Sequence, residues 1–145
     1  MKTISLTFDG YWREVRFSSI PAFSGVYAFQ ECTYDPVSKT VSLKRILYIG
    51  QAVNCRERIQ RHELLVNMNR YIAYGNVLCV NVANVSGANK DIAEAALIYK
   101  HQPPFNTLLK DSFDYESTTI NNSGNHSLLL SSFTVYKTQK SLYPW

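Results

Sequence analysis

The first fifty residues carry two strand–turn–strand patterns in succession, and a chain that begins this way must build a sheet. Ile4, Leu6 and Phe8 alternate with Thr and Ser, Asp9-Gly10 is a type I′ turn pair, and Tyr11 to Phe17 returns as a second strand. In that N-terminal hairpin Phe8 faces Tyr11 and Ile4 faces Val15, so one face is apolar and must be covered. Ser18-Ser19-Ile20-Pro21 ends the pairing. Gly25–Phe29 and Thr40–Ile49 read as the next two strands, joined by a turn over Asp35–Lys39. A turn centred between Val37 and Ser38 sets Tyr27 opposite Tyr48.

Past Gly50 the period changes to that of a helix. Asn54 is an N-cap with Glu57 three residues on, as in a capping box, and the spacing predicts a helix from Cys55 to about Asn67. Arg58 and His62 then share a face, and Glu57 can pair with Arg61. Asn69–Tyr74 reads as a short further helix and Val77–Val85 as a Val-rich strand. Asp91–Lys100 is strongly helical and is stopped by Pro103-Pro104. Ile92, Ala95, Ala96 and Tyr99 form its buried stripe, with Glu94 at the margin. Residues 111–125 are polar and turn-rich, and Leu128–Tyr136 is a late strand. The expected architecture is a small α/β (α+β) domain with a mostly antiparallel central sheet flanked by helices. It divides into an N-terminal hairpin (1–20), a core (21–112) and a C-terminal extension (113–145).

Composition narrows the function. Apolar residues at 46% and charged residues at 18% belong to a globular chain of one domain. No apolar run approaches a bilayer span and the N-terminus has no secretory core, so neither a membrane partner nor secretion is expected. The three cysteines, Cys32, Cys55 and Cys79, include no Cys-x-x-Cys pair, which suits a reducing cytoplasm better than a disulfide scaffold. The net charge of +4 is unevenly spread: residues 1–110 hold 13 Lys/Arg against 8 Asp/Glu, the remainder 2 against 3. Lys44, Arg45, Arg56, Arg58 and Arg61 crowd one stretch and suit a polyanionic partner, although such a cluster is often only a solvated face.

Six residues are candidates for chemistry: Tyr27, Tyr48, Arg58, His62, Glu94 and Asn106. Singly, each has an ordinary explanation. A strand tyrosine packs, a helical arginine or glutamate is solvated, and a lone histidine is usually structural. Their order is what matters. Gly25-Val26-Tyr27 is followed by Tyr48-Ile49-Gly50, then Asn54 and Arg58 on a helix, Glu94 on a later helix, and Asn106. This arrangement resembles the GIY-YIG nuclease superfamily. Residues 48–58 keep the family's spacing from the second tripeptide to the helical arginine. Residues 94–110 resemble its glutamate helix and following Asn, most closely in the nuclease domain of the excinuclease members. The resemblance spans about residues 21–112.

The resemblance implies a metal-dependent endonuclease that hydrolyses DNA phosphodiester bonds with one Mg²⁺ or Mn²⁺ ion, with RNA and a homodimer left open. Tyr27 takes the proton of the attacking water beside Tyr48. Arg58 offers a cationic fork to the phosphate, and Glu94 anchors the metal. His62 orients water, contacts phosphate or shares the base role. Asn106 fastens the wall of the site, with Gly50, Asn54 and Lys44 in support. A tyrosine base, ordinarily titrating at about 10, needs a nearby cation such as Lys44 or the metal. Lys44, Arg45, Arg56 and Arg61 would follow the nucleic-acid backbone. Two departures stand out: Gly-Val-Tyr replaces Gly-Ile-Tyr, and Gln51 stands where several relatives carry a basic residue. The length leaves no room for the further domains of the excinuclease members. The rival readings are a nucleic-acid- or protein-binding module on the same scaffold, and a nuclease subunit active only in an oligomer.

Overall fold

The computed structural model describes residues 1–139. The last six residues of the expected extension, 140–145, lie outside the described residues. Six strands form one sheet in the order β3-β2-β4-β1-β5-β6. These are β1 (Lys2–Arg13), β2 (Gly25–Asp35), β3 (Thr40–Ala52), β4 (Val77–Asn84), β5 (Thr118–Gly124) and β6 (Ser132–Val135). The helices are α1 (Cys55–Gln60), α2 (Leu65–Tyr71) and α3 (Gly87–His101), with a 3-10 turn over Glu14–Ser19. All pairings are antiparallel except β1 with β5. The mixed α/β architecture read from the sequence is therefore present.

The N-terminal hairpin is not. Residues 2–13 run as one strand, which pairs with β5 along Lys2–Phe8 and with β4 along Phe8–Arg13. An isolated two-stranded ribbon is marginal in water, whereas the single strand finds partners on both flanks. Its alternation still has the anticipated effect, since Ile4, Leu6 and Phe8 are all buried. Val15, expected across from Ile4, lies in the 3-10 turn and is exposed. Gly10 marks a register irregularity where the strand passes Val80 and Asn81 of β4.

The β2–β3 pair begins in the predicted register, with Asp35 facing Thr40 and Cys32 facing Leu43. Two irregularities then intervene. Glu31 faces Arg45 and Phe29 faces Tyr48, which leaves Lys44 and Leu47 as extra residues on β3. Tyr27 consequently faces Gly50, not Tyr48. Two single-residue shifts preserve the alternation of faces, so the tyrosines still meet diagonally, with ring centroids 6.4 Å apart.

The long helix expected over 55–67 is two short ones. α1 stops at Gln60, a turn follows, and α2 covers Leu65–Tyr71 in place of the helix expected at Asn69–Tyr74. The break follows from His62, whose ring is buried under the sheet and whose Nδ1 accepts from the Leu64 N–H. The Asn54 cap is formed, its Oδ1 accepting from Glu57 N–H at 3.1 Å. In the tail, the segment read as turns contains β5, and the late strand shortens to β6.

Apolar side chains are buried on both faces of the sheet. One cluster joins Leu6, Phe8, Val26, Ala28 and Ile49 to α3 (Ala93, Ala96, Leu97) and to tail residues Phe113, Ile120 and Phe133. The other joins Phe17, Tyr27, Phe29, Leu47, Val80 and Val82 to Cys55 and Ile59 of α1 and Met68 of α2. All three cysteines are free and buried. Among the described residues no helix is long and apolar enough to cross a membrane.

Candidate active site

β2, β3, α1 and α3 converge at the Gly50 end of the sheet. Tyr27 is 1% exposed, with its ring lying over Gly50. A Cβ at position 50 would sit 2.5 Å from the Tyr27 hydroxyl oxygen and 2.9 Å from Cε1 of Tyr48. Glycine is required there because a ring occupies the place of a side chain. Tyr48 is half-buried and lines a cleft with Glu63, Glu94, Phe105 and Asn106. Asn106, itself buried, clamps β3 from below. Its Nδ2 donates to the Ile49 carbonyl at 2.9 Å and its Oδ1 accepts from the Ile49 N–H at 3.0 Å. The strand that carries Tyr48 and Gly50 is thereby tied to the segment after α3.

Burial pushes the Tyr27 phenol well above its ordinary value, Tyr48 and Glu94 add to this, and Arg58 beside it pulls the other way. Tyr48 is raised by burial and by Glu94, again opposed by Arg58. These influences establish that Tyr27, Tyr48, Arg58 and Glu94 share one electrostatic neighbourhood. Lys44 is exposed on β3 and is not among the charges acting on either phenol.

His62 is 4% exposed and packs edge-on against Tyr27, Phe29 and Tyr48, with centroids at 5.9, 5.2 and 4.9 Å. Burial, reinforced by Arg58, lowers its pKa to about 4. With Nδ1 accepting from Leu64, the neutral ring carries its proton on Nε2, which has no partner. His62 is thus a neutral N–H donor in a tyrosine cage, reached through the turn after α1 and not along a helix face.

Glu94 sits on α3 at the edge of the cleft, and burial followed by the nearby Asp91 carboxylate raises it to about 7, against the Gln51 amide and Lys90. Gln51 donates its amide N–H to Asp91. Position 51 therefore holds a neutral bridge to α3. Asp91, three residues before Glu94, escaped the sequence reading, although helical spacing puts the two carboxylates on one side. Among the described residues there is no cluster of three metal-ligating side chains. The donor set fits a hard divalent ion that is held by one carboxylate and otherwise by water.

The basic residues divide. Arg45 is committed to the fold: its Nε donates to buried Glu31 at 2.6 Å, and its guanidinium stacks on Tyr71 at 4.5 Å. Arg56 donates to the Ile20 carbonyl at 2.5 Å. Arg61 and Lys44 are exposed, Arg61 in a long contact with Glu57 at 3.3 Å. Arg58 meets Glu63 through both terminal nitrogens, at 2.6 and 2.9 Å. Glu63 was not among the sequence candidates. It lies beyond the end of α1, where helical spacing carries no information.

Paired tyrosines, a helical arginine and a helical glutamate meet at one end of the sheet, and the chain is related to the GIY-YIG superfamily. The relatives themselves are UvrABC system protein C of Halobacterium salinarum (34% identity over 69% of this chain), of Synechococcus sp. CC9605 (32% over 70%) and of Petrotoga mobilis (30% over 68%). The chain spans only 17%, 14% and 16% of those proteins, respectively. No family model matches the chain, and no solved structure matches it.

Proposed function

We propose that this chain is a GIY-YIG endonuclease that hydrolyses DNA phosphodiester bonds with the help of one Mg²⁺ or Mn²⁺ ion. The observation that carries the reading is that Tyr27, Tyr48, Arg58 and Glu94 act on one another electrostatically beside the cleft that Tyr48 and Glu94 line. Arg58 binds a non-bridging phosphate oxygen and stabilises the charge that gathers there as the bond to the leaving oxygen lengthens. The Tyr27–Tyr48 pair receives the proton of the attacking water. Tyr48 lines the open cleft and is the phenol that meets the water, while Tyr27 is enclosed beside Arg58, whose charge only partly offsets the upward push of burial on its phenol. Glu94 holds the cation, which when bound supplies Lewis-acid stabilisation of the scissile phosphate and its leaving group. His62, neutral and fixed in tautomer, packs edge-on against both tyrosines and keeps the phenols in place. Exposed Lys44 and Arg61 add sequence-independent contacts to the backbone, so binding weakens with salt.

The test is cleavage of labelled single-stranded, duplex and branched DNA with Mg²⁺, Mn²⁺ or EDTA. Wild type is expected to cut only with metal, and Arg58→Ala and Glu94→Ala to lose about 10²-fold or more, as when a principal charge-stabilising group is removed. Cleavage by either variant at the wild-type rate would sink the assignment.

A further inference from the structure

The turn between α1 and α2 places a carboxylate in the cleft for which the proposed chemistry has no use. Both oxygens of Glu63 are met by both terminal nitrogens of Arg58, Nη1 to Oε2 at 2.6 Å and Nη2 to Oε1 at 2.9 Å. This two-point fork is the geometry a guanidinium offers to a phosphate. The pair is not forced by packing, since its side chains are 36% and 64% exposed. Nor does helical spacing produce it, because Glu63 lies five residues after Arg58 and past the last turn of α1. The cause is His62. Its ring is drawn inward among Tyr27, Phe29 and Tyr48, and the Leu64 N–H bonded to its Nδ1 fixes the turn. The next side chain along is thereby directed into the cleft that Tyr48 and Glu94 line. Arg58 also holds the Glu63 carboxyl far below the usual range, at about 2, so it stays charged at any working pH.

We propose that Glu63 is a stand-in for the substrate's phosphate: it fills the Arg58 fork in the free protein, and a phosphodiester must displace it to bind. The inference rests on the reading of Arg58 as a phosphate ligand, and deepens it by naming what holds the fork before substrate arrives. A lone small anion has to break the Arg58–Glu63 pair for one new contact. A nucleic-acid backbone brings several phosphates, and exposed Arg61 beside Arg58 on the same surface can engage a second one. Glu63 therefore lowers the affinity of every anion for the fork by the same factor, and a backbone that also meets Arg61 retains enough affinity to fill it where a single phosphate does not.

The experiment measures binding without turnover. Fluorescein-labelled duplex DNA is titrated into the full chain and into Glu63→Gln at low salt in EDTA. In parallel, the Arg58 Nε–Hε resonance is followed by NMR while inorganic phosphate is added. Glu63→Gln is expected to bind the duplex about ten-fold tighter, the upper end for release of a bidentate exposed pair together with loss of a repulsive charge. Its Arg58 resonance is expected to respond at a correspondingly lower phosphate concentration. Glu57→Gln, which removes the same charge next door, should change duplex affinity less than two-fold. Equal gains in the two variants would reduce the effect to net charge and overturn the proposal, as would an Arg58 resonance equally responsive in wild type and Glu63→Gln. If Arg58→Ala binds duplex as tightly as wild type, Arg58 is no phosphate ligand and both readings fall. Should these binding results hold while the wild type cuts nothing with metal, the nuclease reading alone fails.

Discussion

Glu94 shows what the site costs the fold. Its carboxyl titrates at about 7 in place of 4.5, chiefly because burial disfavours the charge. The folded protein therefore holds this proton more tightly than the unfolded chain does. Stability contributed by the protonated form is present below about 4.5 and is lost as pH rises through about 7. Glu94→Gln should consequently be more stable than wild type at pH 8 by about 1–3 kcal/mol, and the difference should vanish near pH 4. Urea unfolding of both proteins at the two pH values checks this, and a pH-independent gap would refute it. The Gly50 position is the opposite case, a residue at which side-chain atoms must be absent. Gly50→Ala pushes a Cβ against Tyr27 and Tyr48. It should cost about 1–3 kcal/mol as an overpacked core does, and alter the near-ultraviolet tyrosine signal.

Among the elements, β2, β4 and α3 were legible because each carries its own signal. The Val-rich run of β4 is buried in mid-sheet, and α3 is a run of strong helix formers stopped by Pro103-Pro104. The Asn54 cap was legible for the same local reason. That the tyrosines, Arg58 and Glu94 lie near one another followed from the family resemblance, whereas the Glu63 and Gln51 contacts did not, since they depend on how α1 breaks and how α3 docks. β5 was hidden for a different reason. In Thr-Thr-Ile-Asn-Asn-Ser-Gly the last four residues have poor strand propensity, and the segment is held as a strand by β1 on one side and β6 on the other. The two irregularities of β3 were equally invisible, yet they decide where Tyr48 lies. Deleting Lys44 alone removes one of them and turns the rest of β3 to its opposite face. That deletion should abolish cooperative unfolding in a urea titration, while Lys44→Ala stays within about 0.5 kcal/mol of wild type.

For the whole molecule, the tail is part of the core. Phe113, Ile120, Leu129, Phe133 and Val135 pack into the cluster that contains Phe8, Val26 and α3. A chain ended at residue 112 loses all five and leaves β1 with a bare edge along Lys2–Phe8. It should show no cooperative thermal transition by circular dichroism, even though every residue assigned to the chemistry is retained. The parallel pairing of β1 with β5 also sets an order in time. β1 is synthesised long before β5, its partner along Lys2–Phe8. So long a separation slows closure of the sheet. Tyr27, Arg58 and Glu94 have all been synthesised before that seam can close, so a nascent chain holds every residue proposed for the chemistry well before its sheet is complete.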